Sequence, residues 1–409
     1  MNILIPSKEC KDDLRRIFKK LRKSKHKSSK NYYEHALYFM HEIHTRHHIN
    51  KSIEKGEAVP MNFNIMKSKT NARKIRMIIS ALIREGYVTT DNRYKVGETS
   101  RTYAINYDKT GSQTWSKHRL NDNKLVSNIS TQITQINKME KQLEKGYQIG
   151  LYWNKELDLN IRQAKRHLPK LYAKSKDVGS SAEHSLVNWR AQSESKAFMW
   201  VKDSFGNRLH TRLTSLKSDF RKYLSIDGQK LGQVDIANSQ PLFLYLLMKN
   251  DSRINKEELD RFGDLVLNGK FYESLAEALD IEYNKENKSK IKEDIFQVWY
   301  GSIKTDNEAL TDAYIAFKSL FPSILKYVDF LKRDYYKDCC QLMQKTESDF
   351  IFKSVTRIDK ELGYHKVPLL TIHDSIVTTI DNLDKVVKLL EDSFYKQYGV
   401  VPKLSGEVF

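Results

Sequence analysis

Residues 367–379, VPLLTIHDSIVTT, form two apolar runs that fold back on each other with His373, Asp374 and Ser375 at the bend. A carboxylate beside buried strands is costly unless it is neutralised, paired or bound to a cation, so Asp374 is either a metal anchor or a solvated turn residue. A second carboxylate, Asp235, closes a short apolar run just before a helix signalled over 239–248, with Pro241 in its first turn. There it can hold a cation or cap the helix. In residues 288–301, KSKIKEDIFQVWYG, the side chains of Lys288, Lys292, Phe296 and Tyr300 are spaced by four and therefore share one helix face. Two cations followed by two rings suit a nucleoside triphosphate, with ammonium groups on phosphate and rings on sugar and base. The same spacing also describes an amphipathic helix with its aromatics in a core.

The chain that must position these residues has 409 of them, enough for two or three domains, and its 40% hydrophobic content is that of a globular protein. A net charge of +19, from 70 Lys+Arg against 51 Asp+Glu, fits a polyphosphate partner or a basic solubilising surface. Cys10, Cys339 and Cys340 give no disulfide framework. MNILIPSKECKDDL has no apolar leader and nothing later approaches a membrane span, so a cytoplasmic location without membrane contact is expected.

Residues 1–107 read as a basic helical arm followed by a small DNA-binding domain. Lys8 to Lys30 is crowded with cations, and Tyr33, Leu37, Met40, Ile43 and His44 fall on one helix face. His35, His41, His44, His47 and His48 lack both a cysteine pair and HExxH spacing, which argues against zinc. From Ser68 the sequence gives a capped helix with Ile75, Ile78, Ile79, Leu82 and Ile83 at helical period, ending at Gly86; YVTT and TYAIN then read as strands. Helix, strand, basic loop, strand is the outline of a winged helix. It would carry Arg73, Lys74 and Arg76 on the helix and Arg93, Lys95 and Arg101 on the wing toward DNA, or serve only as a packing module. Residues 108–200 read as a polar helical connector, with GSSAEHS as a linker.

The order Asp235, then KxxxKxxxFxxxYG, then HD resembles motifs A, B and C of polymerase I type (family A) DNA polymerases and of single-subunit phage-type RNA polymerases. The flanks are also similar: NRLHTRLTSL with Arg221 before motif A, GKFYESLAE at the start of the fingers, FPSILKYVDFLK after motif B, and LMQKTESD in the palm helix before motif C. The likeness runs from Arg208 to the end of the chain, roughly half of it, and several motifs in order are far more specific than one.

The resemblance implies an α+β right-hand polymerase: palm over 201–250 and 336–409, fingers over 251–335, and a reduced thumb over 108–200. Asp235 and Asp374 would hold two Mg²⁺ ions, with Mn²⁺ as a substitute, for in-line displacement at a primer 3′-hydroxyl. Lys292 would bind the triphosphate and protonate the leaving group. Lys288, where the family usually has Arg, would take the distal phosphate. Phe296 would pack on the sugar and Tyr300 would check the nascent pair. Arg208, Gln344 and His373 would attend the primer end of a DNA primer–template. The chain departs from the DNA enzymes at other positions too. Gln240 stands where the DNA enzymes carry the Glu that blocks a ribose 2′-hydroxyl, Lys345 stands where Gly is frequent, and Ser302 and Ser375 are shared with the RNA polymerases. No proofreading exonuclease is expected. The reading is a DNA-directed DNA polymerase of a phage or mobile element. Its alternatives are an RNA polymerase or primase on the same core, and a non-catalytic replication initiator that keeps the shape; the oligomeric state is left open.

Overall fold

The computed structural model describes residues 2–5, 8–23, 32–49, 58–61, 66, 70, 72–91, 101–110, 116–174, 182, 185–186, 188–190, 192–193, 200–302 and 311–409. The fold is α+β, and the chain divides into two compact units built from alternating stretches of sequence. The first unit comprises Met1–Leu143, Leu159–Met199 and Ser215–Tyr223; the second comprises Glu144–Asp158, Trp200–Thr214 and Leu224–Phe409. Of the expected boundaries, that at 200 falls beside the division between Met199 and Trp200, whereas residue 107 lies inside the first unit.

In the first unit, β1 (Asn2–Ile5) pairs antiparallel with β5 (Ser116–Arg119), and β2 (Val59–Pro60), β4 (Thr102–Ile105) and β3 (Val88–Thr90) form a second antiparallel sheet in that order. The helices are α1 (Lys8–Lys23), α2 (Tyr32–Ile49), α3 (Ala72–Arg84) and α4 (Asn123–Glu140), with another over Ile161–Lys174. The basic α1 is anchored by an apolar stripe, since Cys10, Leu14 and Phe18 enter the same core as Leu37, Met40 and Ile78. Leu120, Leu125 and Ile129 join that core, which is why the unit extends past residue 107. The helix, strand, strand order read from 72–105 is present, and α3 ends at Gly86, whose φ of +77° suits a residue without Cβ. Residues 92–100, the proposed wing with Arg93 and Lys95, lie outside the described residues.

The second unit is built on an antiparallel sheet. Its central strand, β9 (Gln229–Ile236), lies between β11 (Ser375–Thr379) and β12 (Leu404–Val408); β10 (Leu370–Ile372) pairs beyond β11, and β8 (Leu224–Ile226) folds onto the start of β9. Asp227 and Gly228, both at positive φ, make the tight β8–β9 turn. A small ribbon, β6 (Val201–Lys202) with β7 (Leu209–His210), precedes the sheet in sequence. The helices are α5 (Lys145–Glu156), α6 (Ser239–Met248), α7 (Lys256–Leu267), α8 (Phe271–Ala278), α9 (Lys285–Tyr300), α10 (Asp312–Leu320), α11 (Pro322–Lys332), α12 (Asp338–Glu361) and α13 (Leu383–Tyr398). Phe350 of α12 packs 4.0 Å from Phe394 of α13 and 6.0 Å from Phe243 of α6, ring centroid to centroid. Phe262, Phe271, Trp299, Phe317 and Phe321 form a second aromatic nucleus among α7 to α11.

Helix α5 approaches α12 unusually closely because Gly146 faces its backbone: a Cβ there would sit 2.0 Å from the Phe352 carbonyl oxygen. The neighbouring Tyr147 ring stacks on Phe352 at 3.6 Å. Gly146→Ala must push the two helices apart, and a loss of about 1–3 kcal/mol is expected. Urea unfolding of the variant at an unchanged denaturant slope checks this; wild-type stability would show that the helices can part freely.

Candidate active site

The whole arrangement lies within the second unit. The register that pairs Val234 with Ile376 brings the end of β9 beside the β10–β11 turn, and Ser375 donates its hydroxyl to Asp235 at 2.8 Å. The turn consists of His373 and Asp374 alone, because Ile372 already pairs with Ser375. His373 on one side and Asn238 on the other have φ of +55° and +53°, a conformation that L-residues adopt at a cost of about 1–3 kcal/mol and that clusters at functional sites.

The two aspartates are electrostatically adjacent. Asp235 is raised above the usual carboxylate range by burial, then by the Asp374 charge, while Ser375 and Lys292 pull it back. Asp374 is pushed up to about 6, first by burial and then by the carboxylate of Glu347. Among the described residues no three His, Cys, Asp or Glu side chains gather to form a protein-only metal nest. Two hard oxygen donors that each resist ionisation nevertheless suit a divalent cation whose remaining ligands come from outside the chain.

The four-residue stripe flanks the buried face of α9. Ile291, Ile295, Val298 and Trp299 are buried, whereas Lys288 and Lys292 are exposed and Phe296 and Tyr300 only half-buried. Of the two sequence alternatives neither is excluded, since both rings lie at the margin of the core, with Phe296 6.3 Å from the buried Trp299. Lys292 lies 5.4 Å from the Phe296 ring centre, and Phe296 lies 5.1 Å from Tyr300. Lys288 instead stands 5.9 Å from the ring of Tyr283. Gln240, in the first turn of α6, accepts the Tyr300 hydroxyl at 2.5 Å.

Arg208 does not project freely toward a primer. Its Nε and Nη2 donate to Glu347 Oε1 at 3.1 and 2.5 Å. Gln344, one turn earlier on α12, lies against Gly206, where a Cβ would come within 2.6 Å of its Oε1. His373 is edge-on to His210 at 6.0 Å, and His210 in turn meets Asp203 at 3.0 Å.

Glu347 is the residue that sequence reading missed. It is 1% exposed and also accepts from Ser239 at 2.9 Å and from the side-chain amide of Gln240. A signal was present: Met343, Phe350, Ile351, Ser354 and Ile358 mark the buried face of α12, and Glu347 falls on it. A carboxylate at such a position requires partners.

The proposed DNA-facing residues of the first unit divide. Arg76 and Arg101 are exposed. Lys74 is half-buried, with its ammonium 2.8 Å from His35 Nε2 and 5.5 Å from the Tyr32 ring centre, so it belongs to the packing and not to an open basic face. Arg73 lies in α3. His35, held by Thr70 at 2.8 Å and Asp122 at 3.1 Å, titrates down to about 4, chiefly through burial; it is a structural histidine.

No protein-family model matches this chain, and no curated protein does. Among the described residues no helix is long and apolar enough to cross a membrane.

Asp374 carries a pH signature. Its native value lies above the unfolded 3.8, so its proton is held more tightly in the native state; that stabilisation is complete below about 4 and disappears as pH rises through about 6. Asp374→Asn, which cannot ionise, should therefore be more stable than wild type at pH 7 in EDTA, by on the order of 1–2 kcal/mol, with the gap closing toward pH 4. Denaturant melts across that range measure it, and a gap independent of pH would rule out the strained carboxylate.

Proposed function

We propose that this chain is a template-dependent nucleotidyltransferase of the right-hand polymerase type, acting as a DNA-directed DNA polymerase. The observation that carries the reading is the pair Asp235 and Asp374 on neighbouring strand ends, with the exposed ammonium of Lys292 close enough to act on Asp235. The sheet and α12 would form the palm, α7 to α11 the fingers, and α3 with its sheet a winged helix that holds duplex DNA. Mg²⁺ ions bound by Asp235 and Asp374 would supply activation of the primer 3′-hydroxyl and charge stabilisation of the departing pyrophosphate.

The chain's own residues orient the reactants. Lys292 and Lys288 present two cations to a triphosphate, with Lys292 placed to give a proton to the leaving oxygen. Phe296 and Tyr300 offer aromatic surface to sugar and base. Gln344, His373 and Arg208 line the approach to the primer end, with Arg208 released from or shared with Glu347. An RNA polymerase or primase is the second reading, favoured by the bond from Ser375 to Asp235, because Ser375 is the residue that the motif shares with those enzymes.

Asp235→Ala should lower primer extension with Mg²⁺ by several orders of magnitude while leaving duplex binding within a few-fold of wild type. Extension by a folded variant at near wild-type rate would remove the central claim. For the first unit, Arg76→Ala combined with Arg101→Ala should weaken duplex binding and reduce the slope of log K against log salt by about 2, one per lost phosphate contact. Lys74→Ala should instead lower thermal stability. An unchanged salt slope in the double variant would reassign α3 as a packing element.

A further inference from the structure

The pairing of β9 with β12 brings a third lysine to the acidic face of the sheet. β12 sets Ser405 opposite Asp235 and Leu404 opposite Ile236, and the ladder continues one residue further, where the Ala237 amide donates to the Lys403 carbonyl at 3.1 Å. The Lys403 amide donates in turn to the Leu267 carbonyl at the end of α7, at 2.7 Å. Strand alternation decides which way the side chain leaves. Gly406 faces α13, where a Cβ would meet Leu383 at 3.1 Å, so Lys403, Ser405 and Glu407 belong to the opposite face, with Asp235. Two further observations agree. The Glu407 charge acts on Asp235, and Ala237 and Lys403 lie together against Gly269, where a Cβ would stand 3.4 Å from Ala237 Cβ and 3.2 Å from Lys403 Cδ. The lysine stem therefore runs past a residue that has no side chain to block it. Lys403 is exposed, and among the described residues its ammonium has no carboxylate partner.

We propose that Lys403 is a further phosphate-binding residue, which meets the distal phosphates of a nucleoside triphosphate from the sheet while Lys288 and Lys292 meet them from α9. The proposal rests on the nucleotidyltransferase reading above and extends its phosphate site to β12. β9 separates β11, with Asp374 and His373 at its turn beside the primer end, from β12 on the other edge. In-line displacement forms the bond from the 3′-oxygen to the α-phosphorus on one side as the bond to pyrophosphate breaks on the other. Lys403 is the cation on that far side. Across the pair it is the diagonal neighbour of Asp235, at about 7–8 Å between backbones, a span that a long side chain covers. It holds the departing pair of phosphates as a point charge and takes no part in moving a proton. Two backbone bonds fix the start of its stem, so less remains to be ordered when the nucleotide binds.

The test uses the full chain in two measurements: equilibrium binding of dATP and dAMP with Mg²⁺, and single-nucleotide extension of a primed DNA template with pyrophosphate as inhibitor. Lys403→Ala should weaken dATP binding and raise the pyrophosphate inhibition constant by about tenfold each, the loss of one charge-assisted contact, with KM for dATP following and kcat changed only a few-fold. dAMP, which lacks the distal phosphates, should bind both proteins alike. Lys403→Arg should keep most of the affinity. Lys230→Ala removes the same charge near the start of β9, on the face opposite Asp235, and should change none of these values. Wild-type dATP binding and pyrophosphate inhibition in Lys403→Ala overturns the proposal while leaving the polymerase reading intact, and so does an equal loss for dAMP or in Lys230→Ala. A wild-type chain that neither binds dATP nor extends a primer overturns both.

Discussion

The antiparallel pairing of β9 with β11 is the constraint on which the site depends. Strand side chains alternate between faces, so a shift of one residue would carry Asp235 away from Ser375 and turn Val234 and Ile376 out of the core. The apolar residues on both strands therefore enforce the position of the polar ones. β12 grips β9 from the other edge over five paired residues, so β9 cannot slide without breaking two ladders. The acidic site is held by hydrophobic burial acting through backbone register.

On that frame the charges are deliberately uneven. Asp235, Asp374 and Glu347 bring three carboxylates against Arg208 and the exposed Lys292. Glu347 is fully served by donors, and Asp374 is made reluctant to ionise by its burial first and by the Glu347 charge second. The region is thus under-neutralised by the chain itself, which is the condition under which an external cation gains most. Lys288 and Lys292 remain exposed on α9, and of the two Lys292 is close enough to Asp235 to favour its charged form.

Elements with a strong local signal were legible in the sequence. The helix over 239–248, the strand ending near Asp235 and the termination of α9 at Gly301 were all announced by periodicity, proline placement or turn chemistry, as was the bend at 373–375, although Ser375 proves to open β11 and only His373 and Asp374 make the turn. What stayed hidden depended on contacts between distant residues. Lys74 reads as a basic helix residue until His35, almost forty positions earlier, is brought beside it. Arg208 reads as an open cation because its partner is 139 residues away. The bounds of the first unit could not be read either, since Leu120, Leu125 and Ile129 look like ordinary helical apolar positions wherever their core lies. The Phe296 and Tyr300 rings were ambiguous in the sequence, and only the half-burial of both beside the buried Ile295 and Trp299 sets them at the margin of the core.

The interleaved composition of the two units has a consequence for how such a chain is made and altered. Each unit is assembled from three separate stretches, and the second needs both α5 and the final strand β12. During synthesis, α5 must wait for some two hundred residues before its packing partner α12 exists, with its apolar face exposed in the meantime. Neither unit can be released by a single cut or transplanted as one contiguous cassette.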